Sequence, residues 1–196
     1  MASKIETELL TQIQILYENL RSEMQRNWNR DLPFEELLSD RWERAKRLGF
    51  GEKSSIYQNS YVYGDVKVGA QTWIGPFTIL DGTGGLEIGD HCSIGAGVQI
   101  YSHDVSKWCI SGGVEPYVYT PVKIGNCCFI APSAIIARGV SIGDGTLVES
   151  FSVVKRKVPA YSIVFGNPAV VVGKVHRSDK GEVTFRYLKK RLQNKK

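Results

Sequence analysis

The residues best suited to chemistry open one irregular stretch, QIYSHDVSKWCISGGVEPYVYTPVKIG, residues 99–125. Histidine has an ordinary pKa near neutral pH, so His103 can take a proton from an attacking hydroxyl. A base of this kind needs a group that fixes the tautomer and direction of its ring. Asp104 and Glu115 are the nearest carboxylates in sequence, and Glu115 can fold back within the stretch. Trp108, Tyr117 and Tyr119 offer flat apolar faces. They suit a sugar ring or a base, and equally suit packing against another subunit. Further back, Trp28 and Arg30 in RNWNRDLPFEE can line a substrate pocket or connect two helices. The other histidines, His91 and His176, fall at a regular repeat and in a basic tail. Three converging imidazoles are needed for a zinc hydratase, and no two histidines here lie within ten residues of each other. The four cysteines form no CxxC pair, so no metal site is expected and a reduced, cytoplasmic setting fits best.

The stretch interrupts a strict period. Ile56, Val62, Val68, Ile74 and Leu80 are six apart. After a slip of two residues the series resumes at Ile88, Ile94 and Ile100. Beyond the break it runs Ile124, Ile130, Ile136, Ile142, Val148 and Val154. A glycine or other small residue often follows each aliphatic, as at Gly69, Gly75, Gly89, Gly95, Gly125 and Gly143. Four places on, the residue is again small or β-branched: Ser60, Thr72, Thr78, Cys92, Val98, Cys128, Ala134, Val140, Thr146 and Ser152. A period of six fits neither a helix nor a plain strand. It fits short strands joined by tight corners, with the glycine relieving each corner. Such coils bury their apolar sides only by stacking. The expected fold class is therefore mainly β, a parallel β-helix of hexapeptide repeats. Cys92 and Cys128 fall on inward positions and read as small core residues, not reactive thiols.

Helical elements flank this core. Leu9, Ile13, Leu16, Leu20 and Met24 share one helix face over residues 4–24. A second helix is expected from about Pro33 to Leu48, with Asp31 as cap and Gly49 closing it. The boundaries predicted are a helical region over 1–50, the β-helix over 51–175 and a basic segment over 176–196. That last segment is expected as a short helix, with Phe185, Leu188 and Leu192 inward, or as a solvated tail. From Lys174 on, nine Lys or Arg face two acids; the whole chain is only +5, so the rest is slightly acidic. No RNA-binding motif accompanies that charge, so no nucleic-acid partner is expected. The opening MASKIETELL is charged and lacks a long apolar core, so no signal peptide is expected either. No apolar run approaches the roughly 20 residues that span a bilayer.

The units VKVGAQTWIGPFTI, LEIGDHCSIGAGVQI and VSIGDGTLV resemble those of the hexapeptide-repeat acyltransferases. The later AYSIVFGNPAVVVGKV resembles the GNPA loop of the sugar and xenobiotic O-acetyltransferase branch. The likeness covers about residues 56–175. It implies a left-handed β-helix, a homotrimer, and acetyl-coenzyme A lying in a groove between neighbouring β-helices. It makes the break an external loop over about 103–121, with His103 at its base as general base. It implies an acetyl acceptor that is a hydroxyl or amine of a sugar, nucleotide sugar or glycan precursor. For the coenzyme, Ala131, Ala137 and Gly139 leave backbone accessible along the later coils. Arg138, Lys155, Arg156 and Lys157 lie near the end where the family binds the nucleotide, or are solvated surface charge. After GNPA the family often has Lys or Arg; here Val170 stands there, and Lys174 is the candidate substitute. The same helix also serves carbonic anhydrases and non-catalytic scaffolds. The SHD at 102–104, followed by a non-repeating excursion, favours the acyltransferases.

Overall fold

The structure is a computed structural model and describes residues 3–188. Its body is a stack of parallel coils with three faces. Ile56 pairs in register with Ile74, eighteen residues on, so three hexads close one coil. The first face continues through Ile94, Ile130, Val148 and Val164. The second carries Val62, Leu80, Ile100, Ile136 and Val154. The third carries Val68, Ile88, Ile124, Ile142 and Val158. Nearly all of these aliphatics are buried and together form one narrow core.

The corners explain the rest of the hexad. The left-handed backbone conformation falls three places after the aliphatic, at Gln71, Phe77, His91, Cys127, Ser133, Phe151 and Tyr161. The glycine directly after the aliphatic serves a different need. A Cβ at Gly75 would come within 2.8 Å of the Ala96 nitrogen, and one at Gly143 within 2.4 Å of the Ala160 nitrogen. Its role is therefore close approach between coils, not backbone freedom. The small residue four places on is buried as expected, and at several positions its hydroxyl or thiol also donates. Thr72 Oγ1 gives a hydrogen bond to the Gly89 carbonyl at 2.8 Å, and Cys92 Sγ to that of Gly125 at 3.1 Å. The inward cysteines thus occupy a hydroxyl's place in a ladder that satisfies buried carbonyls.

At the N-terminal side, helix α1 (Lys4–Trp28) starts from a Ser3 and Glu6 capping box. It carries no buried residue. It meets the rest through Tyr17 against Phe34, edge-on at 5.4 Å, and Arg21 bidentate to Asp31. Asp31 is therefore a partner of α1 and not the next helix's cap. The expected second helix is two: α2 (Phe34–Leu37) and α3 (Arg41–Arg47). Asp40 interrupts it, because its carboxylate accepts from the amides of Trp42 and Glu43 at 2.8 and 2.9 Å. Gly49 does close α3's end, at φ +74°. Both short helices seal the first coil. Glu36 accepts from the Gln58 and Asn59 amides, and Arg44 donates to the Tyr57 and Ser60 carbonyls.

At the other end, the segment expected as a short helix or a solvated tail holds a strand. Ser162–Gly166 turns back through Ala169–Arg177, which pairs antiparallel with Val183–Tyr187. The β-branched and aromatic residues of VTFRY favour this pairing over a helix. Phe185 and Leu188 are exposed, and Leu192 lies outside the described residues.

Candidate active site

The two places where the repeat lengthens fall at one corner, between the second and third faces. The slip after Leu80 widens it in the second coil, and the long excursion after Ile100 leaves it in the third. His103–Asp104 pairs antiparallel with Val118–Tyr119 and closes the neck of the loop. Between them lie the short helix α4 (Ser106–Ile110) and a glycine turn.

The carboxylate that meets His103 comes from the slip. Asp81, 1% exposed, sits one coil away, with its Oδ2 2.5 Å from His103 Nδ1. The same carboxylate accepts from the Ser102 amide at 3.0 Å, the Thr83 amide at 2.9 Å and the Thr83 hydroxyl at 2.5 Å. Burial opposes its charge, but these bonds outweigh burial and hold its pKa down at about 2. An ionised carboxylate only accepts, so the proton sits on Nδ1 and Nε2 is left as the ring's acceptor. The ring is one-third exposed and stacks on Tyr119, centroids 6.3 Å apart.

Asp104 and Glu115 do not take the place expected of them. Asp104 accepts from the Ser106 amide at 2.8 Å and pairs with Arg138 at 3.2 Å. Hydrogen bonding to Ser106, then to Arg138, holds its pKa at about 2. Glu115 is exposed on the loop, its amide bonded to the Ser111 hydroxyl. The missed residue, Asp81, had a signal: it opens the slip as His103 opens the break, one coil apart at the same corner.

The aromatic candidates do assemble. Trp108 meets Tyr117 edge-on at 5.3 Å, and Tyr117 leads to Tyr119 at 6.4 Å and so to His103. Each keeps about half its surface exposed. The cations divide. Arg138 in the fourth coil and Lys155, Arg156 and Lys157 in the fifth follow second-face aliphatics, so they rise along the His103 corner. Arg138 is committed to the loop, however, through Asp104 and, at 3.5 Å, the Thr120 hydroxyl. Lys155, Arg156 and Lys157 are exposed. Ala137 and Gly139 share this corner, whereas Ala131 lies at the corner between the first and second faces. Lys174 lies on the C-terminal hairpin, where it donates to Ser162 at 3.3 Å. Trp28 and Arg30 lie around a cavity of about 340 Å³ beside the first coil, away from His103. His91 and His176 lie on a different corner and on the hairpin, so the three imidazoles do not converge.

A three-faced parallel coil with a histidine–carboxylate pair at the base of an external loop defines a class: the β-helical acyl transferases. Residues 121–156 match the family model described as bacterial transferase hexapeptide (six repeats). Over 142 residues the chain is 32% identical to WcaF of Escherichia coli K12, named as a colanic acid biosynthesis acetyltransferase. That match spans 67% of this chain and 74% of WcaF. The hexapeptide-repeat acetyltransferase VCA0836 of Vibrio cholerae, solved with acetyl-coenzyme A, superposes with a TM-score of 0.62. It is 27% identical, over 80% of this chain and 87% of that one. A galactoside acetyltransferase in complex with coenzyme A shares the fold, with a TM-score of 0.64 at 22% identity over 87% and 84% of the two chains. The chain belongs to the hexapeptide-repeat acetyltransferases, and its fold is their left-handed parallel β-helix.

Proposed function

We propose that this enzyme moves an acetyl group from acetyl-coenzyme A to a hydroxyl of a sugar, nucleotide sugar or glycan precursor, with His103 as general base. The observation that carries the reading is the bond from buried Asp81 to His103 Nδ1, which leaves Nε2 free to take a proton beside an aromatic loop. In that reading Nε2 removes the acceptor's proton as its oxygen attacks the thioester carbonyl. Asp81 stays ionised and stabilises the imidazolium that forms. Trp108, Tyr117 and Tyr119 present the acceptor ring. When bound, the coenzyme supplies an activated acyl carbon and a thiolate leaving group. Lys155, Arg156 and Lys157, exposed along the same corner two coils on, are the groups that would meet its phosphates. Ala137 and Gly139 leave room for its narrow arm. Arg138 is held by the loop and is assigned there instead.

The relatives' names support acetyl transfer to a sugar-related acceptor, and the working assembly we infer is a homotrimer with the site in the groove between chains. Among the described residues no helix is long and apolar enough to cross a membrane. A non-catalytic scaffold would give no reason for a buried carboxylate wired to an exposed histidine.

The test is His103→Ala. With the true acceptor, kcat should fall by roughly 10² to 10⁴-fold, the usual worth of a positioned base. Coenzyme binding should survive. His103→Asn should do no better, because an amide cannot take the proton. Turnover near that of the wild type would reject the histidine mechanism.

A further inference from the structure

The cavity between the end of α1 and the turn joining α2 to α3 has the chemistry of a second binding site. Trp28 and Trp42 stand at it, 64% and 47% exposed. Large indole faces left open to water beside a cavity suit the apolar face of a ring. Trp42 is fixed in place. The Arg41 guanidinium lies 4.8 Å over its ring and 4.6 Å over that of Tyr57, so the wall needs little ordering on binding. The polar lining is balanced: Arg30 and Arg41 against Glu36 and Asp40. A phosphate or a free acid would meet two carboxylates there, and an ammonium two guanidiniums. A neutral ligand rich in hydroxyls would find both donors and acceptors.

Glu36 anchors the wall of the cavity. It is 4% exposed, and its Oε1 is used by the amides of Gln58 and Asn59 at 2.6 and 3.2 Å. Its Oε2 is buried and has no hydrogen-bond partner among the described residues. The two amide bonds hold this part of the cavity wall to the first coil, so it is ordered before a ligand arrives.

We propose that this cradle binds a neutral saccharide unit, at a site separate from the His103 corner. It rests on the first coil, whereas His103 leaves the third. Coils are about 4.8 Å apart, so the two sites are offset by about 10 Å along the stack, on different corners. One sugar ring cannot touch both within a chain. If the acceptor is a saccharide, as the function proposed above has it, the cradle holds a distal unit of an acceptor several sugars long.

The experiment is retention of the labelled full chain on an array of immobilised neutral oligosaccharides, without coenzyme. At least one glycan should retain the wild type and His103→Ala equally. Trp28→Ala should weaken that retention by about tenfold, the scale of one lost aromatic contact, and Trp42→Ala by as much or more. Trp28 is exposed at a helix end, so its variant should keep the wild-type melting temperature. Retention of acidic glycans only, retention unchanged in both tryptophan variants, or no retention on any neutral glycan would each overturn the proposal. Retention lost in Trp108→Ala but kept in Trp28→Ala would also overturn it, by assigning the sugar to the loop. None of these results bears on His103, whose test is turnover.

Discussion

Successive side chains of a strand point to opposite sides, so His103 and Asp104 cannot serve one another from one short strand. Asp104 turns to Arg138, and His103 turns to the preceding coil and Asp81. Sequence proximity pointed to Asp104 and Glu115, but in stacked coils the neighbour of a residue is one coil away, here 22 positions. Asp81 is thus legible only once the hexads are counted in threes and the two places where the repeat lengthens fall on one corner. Asp81→Asn tests the pair. The amide no longer dictates the tautomer, and kcat should fall by about 10² to 10⁴-fold. Turnover near that of the wild type in Asp81→Asn would refute the pairing in solution. The same carboxylate bears on stability. Its folded pKa, about 2, is below the ordinary value, so its contribution is complete above about pH 4 and is lost as pH falls through the folded pKa. Chemical denaturation should show Asp81→Asn losing less stability than the wild type over that acid range.

At the scale of elements, the coil strands were readable and the flanking pieces less so. The coils obey a period that the aliphatics print directly. The helix expected over 33–48 breaks where Asp40 bonds its own following amides, a local competition that periodicity does not register. The C-terminal strand forms because the returning strand Ala169–Arg177 offers it an edge, a tertiary fact. The loop is held as an element by both adjacent coils. Asp81 grips its first strand from one side. From the other, Arg138 reaches Asp104 and Thr120, near the two ends of the excursion. Arg138→Ala should therefore lower kcat by about tenfold through a loosened loop and leave coenzyme affinity and its salt dependence unchanged. Arg138→Lys should recover only part, since it lacks the planar fork. Stability should hardly change, because the ion pair is exposed. Weaker coenzyme binding in Arg138→Ala, steeper at low salt, would return this residue to the phosphates.

For the whole molecule, the three faces differ in what they show the outside. The third presents Lys67, Glu87 and Lys123, with Lys123 paired to Glu87 at 2.9 Å. The second presents Tyr61, Ile79, Gln99, Ile135 and Val153 in one row, mostly apolar and half-buried. A trimer closing on the second face would cover that row and leave the charged face in water. Ile135→Asp should then yield monomers in sedimentation and lose turnover, whereas Lys123→Ala should do neither. A variant that stays assembled would move the contact elsewhere. The stack also has two ends, and an open end of parallel strands invites another copy to continue it. At the first coil, Glu36 and Arg44 occupy the amides and carbonyls that a further coil would use. At the last, the strand direction reverses, so no parallel coil can follow. These two stops are what make a repeat of indefinite sequence into a particle of fixed length, and without them the same hexads would be the building rule of a filament.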